Sequence, residues 1–115
     1  MSLMQWLKNA GSQPDVTCVP RDPRTPPVRR RYRFSGLVQG VGFRWEAKTL
    51  AGRLGLTGWV RNEGDGTVTV ELQGGEAPIG EFLRAMRAVP RFDVTDIQAE
   101  ERPVSPGETA FSVRY

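Results

Sequence analysis

Residues 36–44 read G-L-V-Q-G-V-G-F-R, three glycines among apolar residues and then an arginine. Upstream, residues 29–36 alternate as a strand does. Downstream, Phe43, Ala47, Leu50, Ala51 and Leu54 recur at the spacing of one helix face. A glycine-rich turn between a strand and a helix leaves backbone N–H groups converging at the positive end of the helix, a place suited to an anion. The backbone of Gln39, Gly40, Val41, Gly42 and Phe43 is therefore a candidate phosphate-binding loop. Arg44 adds a planar, permanently charged fork that can hold two phosphate oxygens at once. Alone, the pattern is not specific, because glycine-rich turns followed by Arg are common.

A second motif narrows the reading. G-W-V-R-N ends at Asn62, N-E-G-D-G forms a turn, and T-V-T-V-E-L follows as a strand. Together, GLVQGVGFR and GWVRNEGDGTV resemble the paired signature of the acylphosphatase family, over roughly residues 30–115. The resemblance implies a ferredoxin-like α+β sandwich and hydrolysis of small acyl phosphates to carboxylate and inorganic phosphate. It also implies Arg44 and Asn62 as catalytic residues, and a reaction without metal or cofactor. One departure is Leu37, where many family members carry a basic residue; less positive charge beside the loop is expected to touch substrate affinity.

Composition sets bounds. At 115 residues the chain supports one two-layer domain. There is no His, which excludes a Ser-His-Asp triad, a Cys-His pair and a His-ligated zinc site. Cys18 is the only cysteine, so no intrachain disulfide can form, in keeping with a cytoplasmic protein. No apolar run is long enough to span a membrane, and the start lacks a signal-peptide pattern. The net charge of +3 and pI of about 9.6 fit a mildly basic protein that attracts anionic substrates, or one with weak nucleic-acid contacts.

Taken in order, residues 1–28 carry Pro14, Pro20, Pro23, Pro26 and Pro27 and little periodicity. They read as a flexible extension, with Met4, Trp6 and Leu7 a short apolar patch, ahead of an acylphosphatase-like domain at 29–115. In the first strand Tyr32, Phe34 and Val38 point inward. Arg29, Arg31 and Arg33 point outward, as the solvated face of a sheet or as a nucleic-acid patch. Gly55 caps the first helix and Leu56 folds back on it. Asp65-Gly66 marks a hairpin, after which Val68, Val70 and Leu72 face in while Thr67, Thr69 and Glu71 face out. A second helix buries Ile79, Phe82, Leu83, Met86 and Val89 and stops at Pro90. Residues 91–101 alternate poorly, predicting a bulge or an edge strand. A loop and a short strand through Phe111, Val113 and Tyr115 follow. The order, βαββαβ plus a short strand, predicts an antiparallel sheet with two helices on one face.

Phosphoryl transfer from an acyl phosphate needs its oxygens held and a water aligned opposite the carboxylate leaving group. The loop and Arg44 suit the first task. The Asn62 amide, donor and acceptor at once, suits the second. Each residue also has a structural reading: Arg44 as a surface arginine, Asn62 and Asp65 as turn residues, Gln39 as a loop brace, Phe43 and Trp59 as packing. Expected partners are a small acyl phosphate, with inorganic phosphate or sulfate as ligands of the same loop, and a monomeric state. RNA recognition is the first alternative, but the K/R-G-F/Y-G/A-F-V-x-F/Y segment of such modules is missing. A carbamoyl-phosphate-handling domain of the hydrogenase-maturation type is the second; those domains open much longer chains, whereas this one reads to Tyr115.

Overall fold

Strict alternation in the first strand, β1 (Val28–Leu37), sends Tyr32 and Phe34 to one side, where both are buried. A computed structural model describes residues 26–115. The expected N-terminal extension, with its Met4–Trp6–Leu7 patch and Cys18, falls almost entirely outside the described residues.

The elements that follow are α1 (Phe43–Leu54), β2 (Thr57–Asn62), β3 (Val68–Gly74), α2 (Glu76–Ala88), β4 (Asp93–Arg102) and β5 (Phe111–Arg114). One sheet forms in the order β4-β1-β3-β2-β5. Tyr32, Phe34, Val60, Val68, Val70 and Leu72 share a single core with Phe43, Ala47, Ala51 and Leu54 of α1 and Ile79, Phe82 and Met86 of α2. Both helices thus cover the same face of the sheet, as expected. Leu56 closes α1 by donating its N–H to the Ala51 carbonyl at 2.9 Å, and its side chain is buried on the last turn. The poorly alternating β4 is an edge strand, and its pairing with β1 is offset by a bulge at Ser35/Gly36.

Two expectations need correction. The first is the wholly antiparallel sheet: β5 runs parallel to β2, with Val60 opposite Val113. The cause is topological. β4 ends at the end of the sheet where β2 begins, so a chain crossing to the far edge must turn back alongside β2. The crossing loop is fastened on the way, by Ser105 N–H to Gln73 Oε1 (2.7 Å) and by Arg29 Nη1 to Glu108 Oε1 (2.8 Å). The last strand also stops at Arg114, leaving Tyr115 beyond it.

The second correction concerns the face away from the helices. Thr69 and Glu71 do point there, yet both are buried, as are Gln73 and Trp59. The arginine stripe is not a solvated row either. Arg29 is buried and bonded to Glu71, Gln73 and Glu108, and Arg31 donates to Glu71 at 2.7 Å. Arg31, Arg61 and Arg114 lie over the Trp59 indole at 5.4, 5.1 and 4.6 Å from its centroid. Long side chains laid flat thus roof this face, their aliphatic stems shielding what lies beneath. Arg33 alone of the three alternating arginines stays exposed.

Candidate active site

The loop between β1 and α1 is pinned at both ends by buried side chains. Val38 is fully buried, and the Phe43 ring packs edge-on against Phe34 (centroids 5.0 Å, 64°) and tilted against Phe92 (5.0 Å). Between these anchors the backbone turns through Gly40 (φ 75°) and Gly42 (φ 82°), both in the left-handed region that a side chain disfavours. Gly42 caps α1, and its carbonyl accepts the Glu46 N–H at 3.0 Å. The N–H groups of Gly40, Val41 and Gly42 donate to no acceptor among the described residues. They lie at the N-terminus of α1, where the helix end adds positive potential.

Gly40, Gly42, Arg44 and Asn62 line one cleft of about 650 Å³, whose opposite wall is Phe111–Val113 of β5 with Tyr115. Arg44 sits in the first turn of α1, where a cation opposes the helix dipole. Glu46, in the same turn, is engaged by Arg91 at 2.7 Å, and among the described residues Arg44 has no carboxylate partner. Its guanidinium instead stands 4.9 Å from the Tyr115 ring centroid. An arginine so placed, with loop donors beside it, is arranged for an anion.

Asn62 is the last residue of β2, paired with Val68 across the hairpin. Its Oδ1 is buried and accepts no hydrogen bond from the described residues. Leaving such an acceptor unmet costs roughly 1–3 kcal/mol. The residue itself lines the cleft, so a small shift of the amide would bring this acceptor to a water there. Asp65, as expected, serves the turn: its carboxylate accepts from the Thr67 hydroxyl (2.7 Å) and N–H (3.1 Å), which hold it below the usual carboxylate range.

Two of the loop residues have other occupations. Gln39 turns its side chain away and donates from Nε2 to the carbonyls of Glu63 (2.7 Å) and Thr67 (2.9 Å). Val41 packs against the core, and its carbonyl accepts from Arg91 Nε at 2.8 Å. Trp45 and Lys48 were not singled out from sequence, yet both line the cleft, and Trp45 is 66% exposed. Lys48, four residues after Arg44, shares its helix face and could have been read from that spacing; Trp45, one residue on, could not. No local pattern signals Arg91, fifty residues from Val41.

The βαββαβ frame, with unmet loop N–H groups and an arginine at one helix start, defines an α+β sandwich with a loop suited to an anion. Comparison with known proteins narrows it. The acylphosphatase family model matches residues 30–113. The acylphosphatase of Lactobacillus johnsonii is 41% identical over 72% of this chain and 93% of its own length. The crystal structure of acylphosphatase from Bacillus subtilis superposes with a TM-score of 0.71 at 36% identity, covering 76% of this chain and 99% of that one. The carbamoyltransferase HypF2 of Cupriavidus necator is 50% identical over 72% of this chain, but that stretch is only 10% of HypF2. The chain belongs to the acylphosphatase family.

Proposed function

We infer that the chain hydrolyses the carboxyl–phosphate bond of small acyl phosphates, with Arg44 and Asn62 as its two catalytic residues. The observation that carries the reading is the convergence, in one cleft, of unmet loop N–H donors, an arginine without a carboxylate partner and a buried, unmet amide oxygen. Donors and a cation suit the phosphoryl oxygens; a lone acceptor suits a water proton.

In this reading the N–H groups of the 39–43 loop and the Arg44 fork grip the phosphoryl oxygens and match the charge spread over them in the transition state. Asn62 Oδ1 accepts from the attacking water and fixes its lone pair in line with the leaving carboxylate. The new bond is water oxygen to phosphorus, and the bond broken is phosphorus to the acyl oxygen. An amide is too weak a base to take the water proton, so a phosphoryl oxygen receives it. Carboxylate and inorganic phosphate leave.

The same reading takes inorganic phosphate or sulfate as competing ligands of the loop, and a monomeric, cytoplasmic protein. Residues 1–28 are an accessory extension to the domain at 29–115. The test is benzoyl phosphate hydrolysis by the pure chain at neutral pH with EDTA present. No rate above the uncatalysed one would overturn the activity, and phosphate inhibition that does not compete with substrate would overturn the site. A chain shortened to begin at Val28 should keep its fold and turnover; loss of either would make the extension part of the domain.

A further inference from the structure

We propose that Arg91 is a positioning residue that sets which way the loop presents its Val41–Gly42 peptide, and so whether that peptide attracts or repels a bound phosphate. Arg91 does not line the cleft; it acts from behind the loop. Its backbone is firmly placed. Pro90 precedes it, and Phe92 follows, buried against Phe43 and bonded from its N–H to the Val89 carbonyl at 3.1 Å. From this root the side chain donates twice, from Nε to the Val41 carbonyl (2.8 Å) and from Nη2 to Glu46 Oε1 (2.7 Å). The fork spans the loop and the first turn of α1, and a Cβ built on Gly42 would lie 3.5 Å from Nη2. The guanidinium therefore lies alongside the Val41–Gly42 peptide.

In a trans peptide the C=O and the following N–H point to opposite sides, and the described residues contain no cis bond. Holding the Val41 carbonyl toward Arg91 thus turns the Gly42 N–H the other way. That N–H has no acceptor among the described residues, and Gly42 lines the cleft. Without the clamp little fixes this plane, because a glycine reaches both signs of φ at small cost. A rotated peptide would aim a carbonyl oxygen at the phosphoryl group, exchanging an attractive dipole for a repulsive one. The same fork keeps the Glu46 carboxylate paired, so the one acid of the first turn does not meet Arg44 or the substrate.

The inference rests on the acyl phosphate reading, and its test separates the two. Phosphate inhibition constants, kcat, KM and melting temperature are measured for the full chain, Arg91→Gln, Arg91→Lys and Glu46→Gln. Phosphate is also titrated against the Gly42 amide in ¹H–¹⁵N spectra. Arg91→Gln should raise KM and the phosphate constant about tenfold, the scale of one lost polar contact, with a smaller change in kcat, and the Gly42 amide should stop responding to phosphate. Arg91→Lys keeps the charge but not the two-point fork, so it should restore little. If Lys restores binding fully, or Gln leaves the phosphate constant within about twofold, the role is charge alone or nothing and the proposal falls. Should Arg91→Gln fail to fold, Glu46→Gln decides. Removing an acid near an anion site tightens phosphate by charge alone, whereas loosening the clamp weakens it; tighter binding would overturn the proposal. If the unaltered chain binds phosphate through Gly42 but turns over no benzoyl phosphate, the clamp stands and the activity reading falls.

Discussion

The side-chain amide of Gln39 donates to the Thr67 carbonyl at 2.9 Å, across 28 residues of sequence. The same nitrogen reaches the Glu63 carbonyl at 2.7 Å, and the Glu63 N–H in turn donates to Thr67 O at 2.9 Å. One amide thereby ties the loop proposed to grip phosphate to the hairpin that begins next to Asn62. The two halves of the candidate site come from opposite ends of a βαβ segment, and this bridge sets the distance between them.

Gln39→Leu keeps the volume and removes the bridge. Both carbonyls would keep a bond within the hairpin, Thr67 O from the Glu63 N–H (2.9 Å) and Glu63 O from the Gly66 N–H (3.3 Å), so the stability loss should stay near 1–2 kcal/mol. Misplacing the water relative to phosphorus is costlier, and kcat should fall by up to about 10²-fold. Steady-state kinetics together with a denaturation curve check both numbers. A normal kcat in a destabilised variant would make Gln39 a fold brace with no part in the geometry of catalysis.

Arg44 and Asn62 should separate kinetically. Arg44 is proposed to touch the phosphoryl group in ground and transition states alike, so Arg44→Ala should lose phosphate inhibition and nearly all turnover, with Lys a poor substitute. Asn62→Ala should leave the phosphate inhibition constant nearly unchanged while kcat falls roughly 10²–10³-fold. Removing an unmet buried acceptor should also leave the melting temperature unchanged or slightly raised. Equal loss of phosphate affinity in both variants would contradict the assigned roles.

The fold was legible in the sequence wherever burial is one-sided. Tyr32 and Phe34, the α1 stripe and the Ile79–Phe82–Met86 stripe are all where periodicity puts them, because a face against a core must be apolar. The paired motifs around Arg44 and Asn62, neither specific alone, were legible as a pair, through their resemblance to a family signature. The roofed face was not. Thr69 and Glu71 read as solvent-facing because the cover on that face is arginine: Arg29 and Arg31 bond Glu71, and Arg31, Arg61 and Arg114 lie over the neighbouring Trp59, with charged ends that look like surface. The direction of β5 was hidden for a different reason. It depends on which edge β4 occupies, a long-range fact that alternation does not carry. Gln39 was read as a loop brace, but its partners were not, and Arg91 was missed: both bond to main-chain carbonyls, and a carbonyl has no letter of its own.

Gly58 offers a purely structural test. It lies in β2 at φ 133°, and a Cβ there would stand 1.8 Å from the Glu71 carbonyl oxygen. Backbone cannot give way as a side-chain tip can, so Gly58→Ala must push β2 from β3 near Thr57–Trp59. The expected loss is at least about 3 kcal/mol, in the range of strain at a special backbone position. A urea midpoint within error of the unaltered chain would show that the β2–β3 spacing is softer than this close approach implies.

Acid should unfold the protein partly through Glu71. This carboxylate is buried on the roofed face, which pushes its pKa up, yet hydrogen bonds from Arg29 and Arg31 outweigh burial and hold it below its ordinary value of 4.5. Glu108 behaves alike: burial raises it, and Arg29 brings it down below the same 4.5. A folded pKa below the unfolded one means that the unfolded chain binds more protons as pH falls through this range, so stability rises with pH there. The contribution is complete above the ordinary value and is lost as pH falls through the lowered folded one. Urea midpoints should therefore be level from about pH 6 to 8 and decline below about pH 5. Glu71→Gln should cost roughly 3 kcal/mol at neutral pH by leaving Arg29 underpaired, and should flatten the acid limb. High salt should change the neutral-pH midpoint little, because a pair this far from solvent is weakly screened. An acid limb of unchanged slope in Glu71→Gln would assign the pH dependence to the surface carboxylates, and the buried Arg29–Glu71–Arg31 cluster would then be a fixture of packing with no part in the titration.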